Sequence, residues 1–343
     1  MENRLMVTAS PHLVDHSSTR KLMGSVILAL LPCVVASTVI FGLRALLLIG
    51  VTTAACVGFE FLYTRLMKKP CPVGDLSAVV TGLILALNFP VTLPLWIAIV
   101  GAFIAIVVTK QLFGGLGFNF VNPALVGRIV LFTGFGTRMT AWTYPEAAQN
   151  TLTGIDAVAS ATPLQAVAAD GSSLLGQYPL MDLLLGVHGG VLGETCAVAI
   201  LLGFVWLVAS RTISAAIPVA YVGSFALFSL LHTLVETMQG SEAAFGTALA
   251  TAGSLALRQV LSGGLLFGAV FMATDYVTSP FTLKGKLVFG LGLGLITFAI
   301  RDFANMAEGV SYAILFMNLL VPYINDLTRQ KPLGAKKQAK GAA

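Results

Sequence analysis

The chain has 343 residues, 57% of them hydrophobic and only 10% charged, with 20 Lys+Arg against 15 Asp+Glu and a net charge of +5. Soluble domains carry about 25% charged residues, so this balance excludes an ordinary cytosolic enzyme, a disordered chain and a disulfide scaffold. Long, uncharged, non-alternating runs point instead to an all-α membrane protein of about ten transmembrane helices.

In chain order, a polar start over 1–21 gives way to hydrophobic segments at 22–42, 44–66, 76–90, 93–109 and 122–136. A long polar connection over 137–183 separates these from segments at 184–209, 213–235, 258–274, 286–300 and 309–325, and a basic tail covers 326–343. The third and fifth segments fall short of the ~20 residues of a full span. Both meet helix breakers, Asn88-Phe89-Pro90 and Asn122-Pro123. They read either as half-helices lining a site near the midplane or as kinked spans packed on their neighbours.

With the N-terminus in the cytoplasm, Lys and Arg divide fifteen inside to four outside, Arg44, Arg138, Arg258 and Arg301, with Arg128 within a span. This bias places both termini in the cytoplasm and 137–183 outside. A faint repeat relates the run at Gly82 to the run at Gly268, and Lys110 to Arg301 at nearly the same offset. Five spans per half is an odd number, so the halves 22–136 and 184–325 would be inverted in the membrane. No basic patch is interleaved with stacking aromatics, so the positive charge does not indicate nucleic acid. The four cysteines form no Cys-x-x-Cys pair and suggest neither a metal nor an iron–sulfur site.

Three features could carry chemistry. Charges inside apolar runs cost several kcal/mol unless they face protein or water. Asp275, Glu60 and Arg128 are the candidates for ion handling: Asp275 as a cation or proton site, Glu60 alternatively as a paired or snorkelling group, and Arg128 as a partner for a carboxylate or a polar ring edge. Glu194 is a fourth such charge, while Lys110 and Arg301 stand at span ends. In the stretch Gly114 to Pro123, Gly114, Gly115 and Gly117 let backbone approach a flat ring, and Asn119 and Asn122 offer amides to a polar heterocycle. The same stretch, closing on Pro123, also suits a tight helix contact at a broken helix start. It lacks the Gly-Lys-Ser/Thr ending of a phosphate loop. In the outer loop, Asp156 precedes Thr162 by six residues, and Pro163 biases Thr162 towards extended backbone. Alone, this is a Ser/Thr turn with no nearby histidine to act as a base. His188 and His232 are isolated and read as structural, and no catalytic acid, base or nucleophile is evident.

These motifs together resemble a known family. Ser10-Pro11-His12, Gly74-Asp75-Leu76-Ser77-Ala78 with Val80-Thr81-Gly82, Lys110-Gln111-Leu112-Phe113-Gly114-Gly115-Leu116-Gly117-Phe118-Asn119 running into Asn122-Pro123-Ala124, and Phe271-Met272-Ala273-Thr274-Asp275 occur in the same order. The chain is similar to the D subunits of Rnf complexes, the ion-translocating ferredoxin:NAD oxidoreductases. It resembles more distantly the B subunits of sodium-pumping NADH:quinone oxidoreductases. The family's flavinylation motif is Asp-x-x-[Ser/Thr]-Gly-Ala-Thr. Here Asp156, Ala161 and Thr162 match it, while Ala159 and Ser160 replace the usual Ser/Thr and Gly.

The resemblance implies FMN bound covalently to Thr162 through a phosphoester, and a non-covalent riboflavin contacting Asn119, Asn122 and Pro123. It implies an electron-transfer subunit of a redox-driven sodium or proton translocase in a bacterial inner membrane. Its partners would be the flavin-bearing G subunit, the membrane A and E subunits, the peripheral C subunit, a flavin transferase and membrane lipid. On residues alone, a secondary transporter or channel, or a membrane anchor for other subunits, would also fit inverted halves and buried charges. Covalent flavin separates these readings.

Overall fold

The structure is a computed structural model that describes residues 18–143, 162–164, 175–176, 178–240, 245–304 and 309–329. All regular structure among them is helical. The first half holds α1 (Thr19–Phe41), α2 (Leu43–Leu66), α3 (Ser77–Leu87), α4 (Leu95–Gln111) and α5 (Pro123–Gly134). The second half holds α6 (Ala197–Ala209), α7 (Ala216–Gly240), α8 (Phe245–Leu261), α9 (Leu265–Met272), α10 (Leu283–Phe303) and α11 (Val310–Leu327). Five of these, α1, α2, α7, α10 and α11, are long and apolar enough to cross a membrane, and the bent pair α8–α9 forms a sixth, broken span. The helices α3, α4, α5 and α6 are shorter apolar elements. The chain is a multi-pass membrane protein.

Local chemistry sets the helix ends. Gly42, at φ 77°, turns α1 into α2. Ser18 caps α1 by accepting from Lys21 N, and Thr282 caps α10 by accepting from Gly285 N. Asn122 caps α5 by accepting from Ala124 N, with Pro123 at the first helical position, where its missing N–H costs nothing. The two halves repeat their pairing. α2 packs on α3 and α4 as α7 packs on α8 and α10; α5 lies on α4 as α11 lies on α10; α1 pairs with α6. Small residues bring backbones together where lipid supplies no hydrophobic drive. A Cβ on Gly82 would lie 2.7 Å from Thr53 Cα, and one on Gly290 would lie 2.6 Å from Ala220 Cβ.

Two expected spans are not continuous. The segment expected at 184–209 is a short helix, Leu180–Leu185, then irregular chain over 186–196, then α6. The run Gly186-Val187-His188-Gly189-Gly190-Val191-Leu192-Gly193-Glu194 carries four glycines and two polar side chains, which favour loop over helix. It is held by backbone pairing. Leu192 N donates to Phe89 O at 3.1 Å, Gly193 N donates to Leu87 O at 2.7 Å, and Ser37 Oγ donates to Leu192 O at 2.6 Å. The carbonyls left by the early end of α3 are thereby satisfied away from lipid. The segment expected at 258–274 breaks at Ser262-Gly263-Gly264, where α8 and α9 meet at 63°. Gly263 adopts φ 70° there. The helix start at Phe245 lies ahead of the expected boundary because its Ala/Gly/Thr-rich sequence is helical but weakly hydropathic.

Candidate functional site

One end of the bundle encloses a cavity of about 740 Å³, its open mouth included. Its walls come from both halves: Ser77 and Thr81 of α3, Lys110 of α4, Asn119, Asn122, and Thr274 with Asp275 beyond α9. Met23, Ile84, Leu207 and Phe271 provide apolar wall. A largely apolar hollow with a few convergent polar groups is the usual form of a cofactor site.

The sequence-flagged residues fall into three groups here. Asn119, Asn122 and Pro123 line the cavity. Asn122 also spends its amide on structure: Oδ1 caps α5 and Nδ2 donates to Met272 O at 3.3 Å, tying the halves together. Asn119 Nδ2 donates to Val121 O at 3.1 Å. Gly114, Gly115 and Gly117 stand outside the walls. They take φ values of 121°, 97° and 93° and shape the α4–α5 turn that carries Leu116 and Asn119 to the cavity. Asp275, 165 residues beyond Lys110 in the chain, shares the cavity with it. Asp275 lies in the connection after α9. Burial pushes its carboxyl above the usual carboxylate range, opposed by hydrogen bonds from Val277 N–H, the Thr278 hydroxyl and Tyr276 N–H, and by the Lys110 charge.

Behind the wall, Glu60 is fully buried and paired. Lys110 Nζ donates to Glu60 Oε1 at 2.7 Å and to Ser77 Oγ at 2.6 Å, and Gln111 Nε2 donates to Glu60 Oε1 at 2.8 Å. Glu60 therefore neither snorkels nor opens into the cavity. The final turns of α4, Ile104–Gln111, are π-helical, and this brings Lys110 and Gln111 side by side towards α2.

A second polar cluster lies at the other end of α9, around the α8–α9 break. Arg301 Nη1 donates to Gln259 O at 3.0 Å and Nη2 to Ser262 O at 3.3 Å, and its guanidinium lies 5.0 Å from the Phe225 ring centre. A Cβ on Gly263 would lie 3.1 Å from Arg301 Nη2 and 3.2 Å from Leu164 Cδ2. A Cβ on Gly264 would lie 3.0 Å from Glu194 Oε2 and 3.8 Å from Arg128 Nη1. Arg128 Nη1 donates to Asn88 Oδ1 at 2.8 Å and to Ser311 Oγ at 3.1 Å. Thr162 and Leu164 are both buried. Thus Thr162 sits two residues from a side chain that shares the Gly263 surface with Arg301. The guanidinium carries a permanent charge, and the two glycines leave the break bare of side chains. Asp156, Ser160 and Ala161 lie outside the described residues. Arg301, Glu194 and Asn88 carried no functional assignment in the sequence; their signal was a charge or amide inside an apolar run.

Fold and cavity define a polytopic helical membrane protein with two polar sites, one at each end of α9. The chain belongs to the NQR2, RnfD, RnfE family, whose model matches residues 6–334. It is 39% identical over 344 residues to the D subunit of the Na(+)-translocating ferredoxin:NAD(+) oxidoreductase complex of Acetobacterium woodii, covering 99% of each chain. It is 35% identical to the D subunit of the proton-translocating ferredoxin:NAD(+) oxidoreductase complex of Clostridium ljungdahlii, covering 98% of each. It is 36% identical to the D subunit of the ion-translocating oxidoreductase complex of Stutzerimonas stutzeri, covering 94% of each.

Proposed function

We propose that this chain is the membrane electron-transfer subunit of an ion-translocating ferredoxin:NAD oxidoreductase complex, with one flavin at each end of the bundle. FMN is joined to Thr162 by a phosphoester, and a non-covalent riboflavin occupies the cavity. Flavins accept and release electrons singly or in pairs; the protein sets where they lie and how tightly they are held. Arg301 balances the phosphate charge beside Thr162, and Arg128 and Glu194 give the Gly263–Gly264 break a polar edge. At the cavity, Asn119, Asn122 and Pro123 contact the ring system and Lys110 supplies a cation.

The observation that carries this reading is convergence: Ser77, Lys110, Asn119, Asn122 and Asp275, scattered over 199 positions, line a single cavity. α9 connects that cavity to the outer cluster. From Gly264 to Phe271 it rises only about 10 Å, at 1.5 Å per residue. Two redox groups flanking it would be close neighbours.

Both termini face the cytoplasm, and the Thr162 end faces outward, where a flavin transferase reaches it. The G subunit, itself flavin-bearing, meets this outer end, while the A, E and C subunits complete the complex. Asp275 handles the moving cation, because carboxylate oxygens suit hard ions. The relatives' names include both sodium and proton translocation at similar identity, so family membership leaves the ion open.

The test is peptide mass spectrometry of protein from cells with an active transferase, with chromatography of flavin released on denaturation. An FMN-sized adduct on the Thr162 peptide and free riboflavin in the extract are expected. An unmodified peptide removes the covalent assignment. Asp275→Asn should impair ion-coupled turnover with flavin content intact; unchanged ion dependence removes its role. Cysteine in place of Ser172, but not of Lys336, should react with an impermeant reagent from outside; the reverse overturns the orientation.

A further inference from the structure

The cavity wall is continuous with a line of short hydrogen bonds that leads away from it. Lys110 Nζ donates to Ser77 Oγ at 2.6 Å, and Ser77 Oγ donates to Asp75 Oδ1 at 2.6 Å. Ser77 N also donates to Asp75 Oδ1, at 2.9 Å, so the carboxylate is fixed in place. Lys110 and Ser77 are buried and line the cavity, whereas Asp75 is half-buried and lies outside its wall. Leu76 takes φ 65° between them, an unusual conformation for a branched side chain, and this turns Asp75 and Ser77 towards each other. A hydroxyl that accepts from an ammonium while donating to a carboxylate is one step of a proton wire. Its far end is a carboxylate that water can reach.

We propose that Asp75, Ser77 and Lys110 form a proton line that supplies the flavin ring in the cavity when it is reduced. The proposal rests on the reading of the cavity as a flavin site. As two electrons arrive from the ferredoxin-type donor through the complex, Lys110 breaks one N–H bond and gives that proton to a ring nitrogen, where a new N–H bond forms. Lys110 is left a neutral amine beside Glu60. A buried carboxylate whose partner has lost its charge is strongly unfavourable, so Lys110 is driven to recover a proton. Asp75 first takes a proton from water; the Ser77 hydroxyl then turns from Asp75 to the amine, gives its proton to Lys110 Nζ, and receives the Asp75 proton in its place, which leaves Asp75 a carboxylate again. Oxidation of the ring runs the same steps in reverse.

An ammonium can act as a proton donor where a guanidinium, protonated at every working pH, cannot. Glu60 is a positioning residue. It draws Lys110 and Gln111 to the same oxygen, Oε1. Asp275 faces the cavity from the second half, so a cation bound there and the charge on Lys110 sense each other. Protonation of the ring and occupancy of Asp275 are thereby linked electrostatically.

The test uses the purified whole complex. It compares wild type with Ser77→Ala, Ser77→Thr and Asp75→Asn, reading released flavin content and the rate of proton uptake on electrochemical reduction with a pH-indicating dye. Ser77→Ala and Asp75→Asn should keep the flavin and slow proton uptake on the order of a hundredfold, within the usual scale of acid–base steps. Ser77→Thr, which keeps a hydroxyl, should restore it. Wild-type uptake in either slowed variant, with flavin present, overturns the proton line and leaves the flavin assignment standing. If Ser77→Ala sheds the flavin, Asp75→Asn decides alone. A wild-type complex without non-covalent flavin overturns both.

Discussion

Lys110 and Arg301 stand at corresponding places, each at the end of the fourth span of its half, and each is buried. Lys110 meets a carboxylate, Glu60, and a hydroxyl. Arg301 meets two backbone carbonyls freed by a broken helix, and lies over an aromatic ring. An ammonium is a compact point charge answered by another point charge, whereas a guanidinium spreads its donors over a plane and stacks. Both positions hold a buried cation, but the two cations are used differently. The ammonium lines the cavity, and the guanidinium lies at the Gly263 break, where Leu164 also comes close.

Exchanging partners tests that division most severely. Lys110→Met leaves Glu60 buried without its cation and should destabilise the chain by about 3–5 kcal/mol. The midpoint of thermal unfolding in detergent should fall sharply, and Glu60→Gln/Lys110→Met should recover most of the loss. If the single variant melts like wild type, the pair is not what holds α2 to α4. Arg301→Met strands carbonyls rather than a charge, so roughly 1–3 kcal/mol is expected in the same assay. A loss equal to that of Lys110→Met would erase the contrast between the two cations.

Gly263→Ala places a methyl 3.1 Å from Arg301 Nη2 at φ 70°. About 1–2 kcal/mol is expected from the unfavourable backbone, with reduced covalent flavin because the methyl shifts Arg301 or Leu164. Thr162→Ala should change stability least, by about 0.5–1 kcal/mol for one buried hydroxyl, yet remove all covalent flavin from the denatured, electrophoresed chain. Covalent fluorescence persisting in that variant would move the acceptor to another hydroxyl.

Hydropathy made much of the fold legible, because lipid enforces helices and apolar length is easy to read. It failed where segments were continuous in composition but not in backbone. The run 184–209 hid a loop whose carbonyl partners, Leu87 and Phe89, lie about a hundred residues upstream. The run 258–274 hid the break at Gly263 and Gly264. The cavity was half legible. Asn119, Asn122 and Asp275 stood out as polar groups next to breakers, but nothing local joined Asp275 to Lys110 or Ser77 to Lys110. Those links depend on the interleaving of two halves, which no single segment encodes.

The π-helical stretches, Ile104–Gln111 and Gly268–Met272, lie one in each half, and both touch the cavity. Their backbone bonds skip an extra residue: Leu112 N donates to Val107 O and Ala273 N to Gly268 O. Each stretch therefore behaves like a helix with one residue inserted. Deleting Val107 would let α4 close into regular register and swing everything after it by about 100°, the angular step of one residue at 3.6 per turn. Lys110 would leave Glu60 with no charge altered and only one apolar residue lost. For this cavity, chain length within two short windows is as decisive as residue identity, and relatives that differ by one residue there would be expected to differ in chemistry.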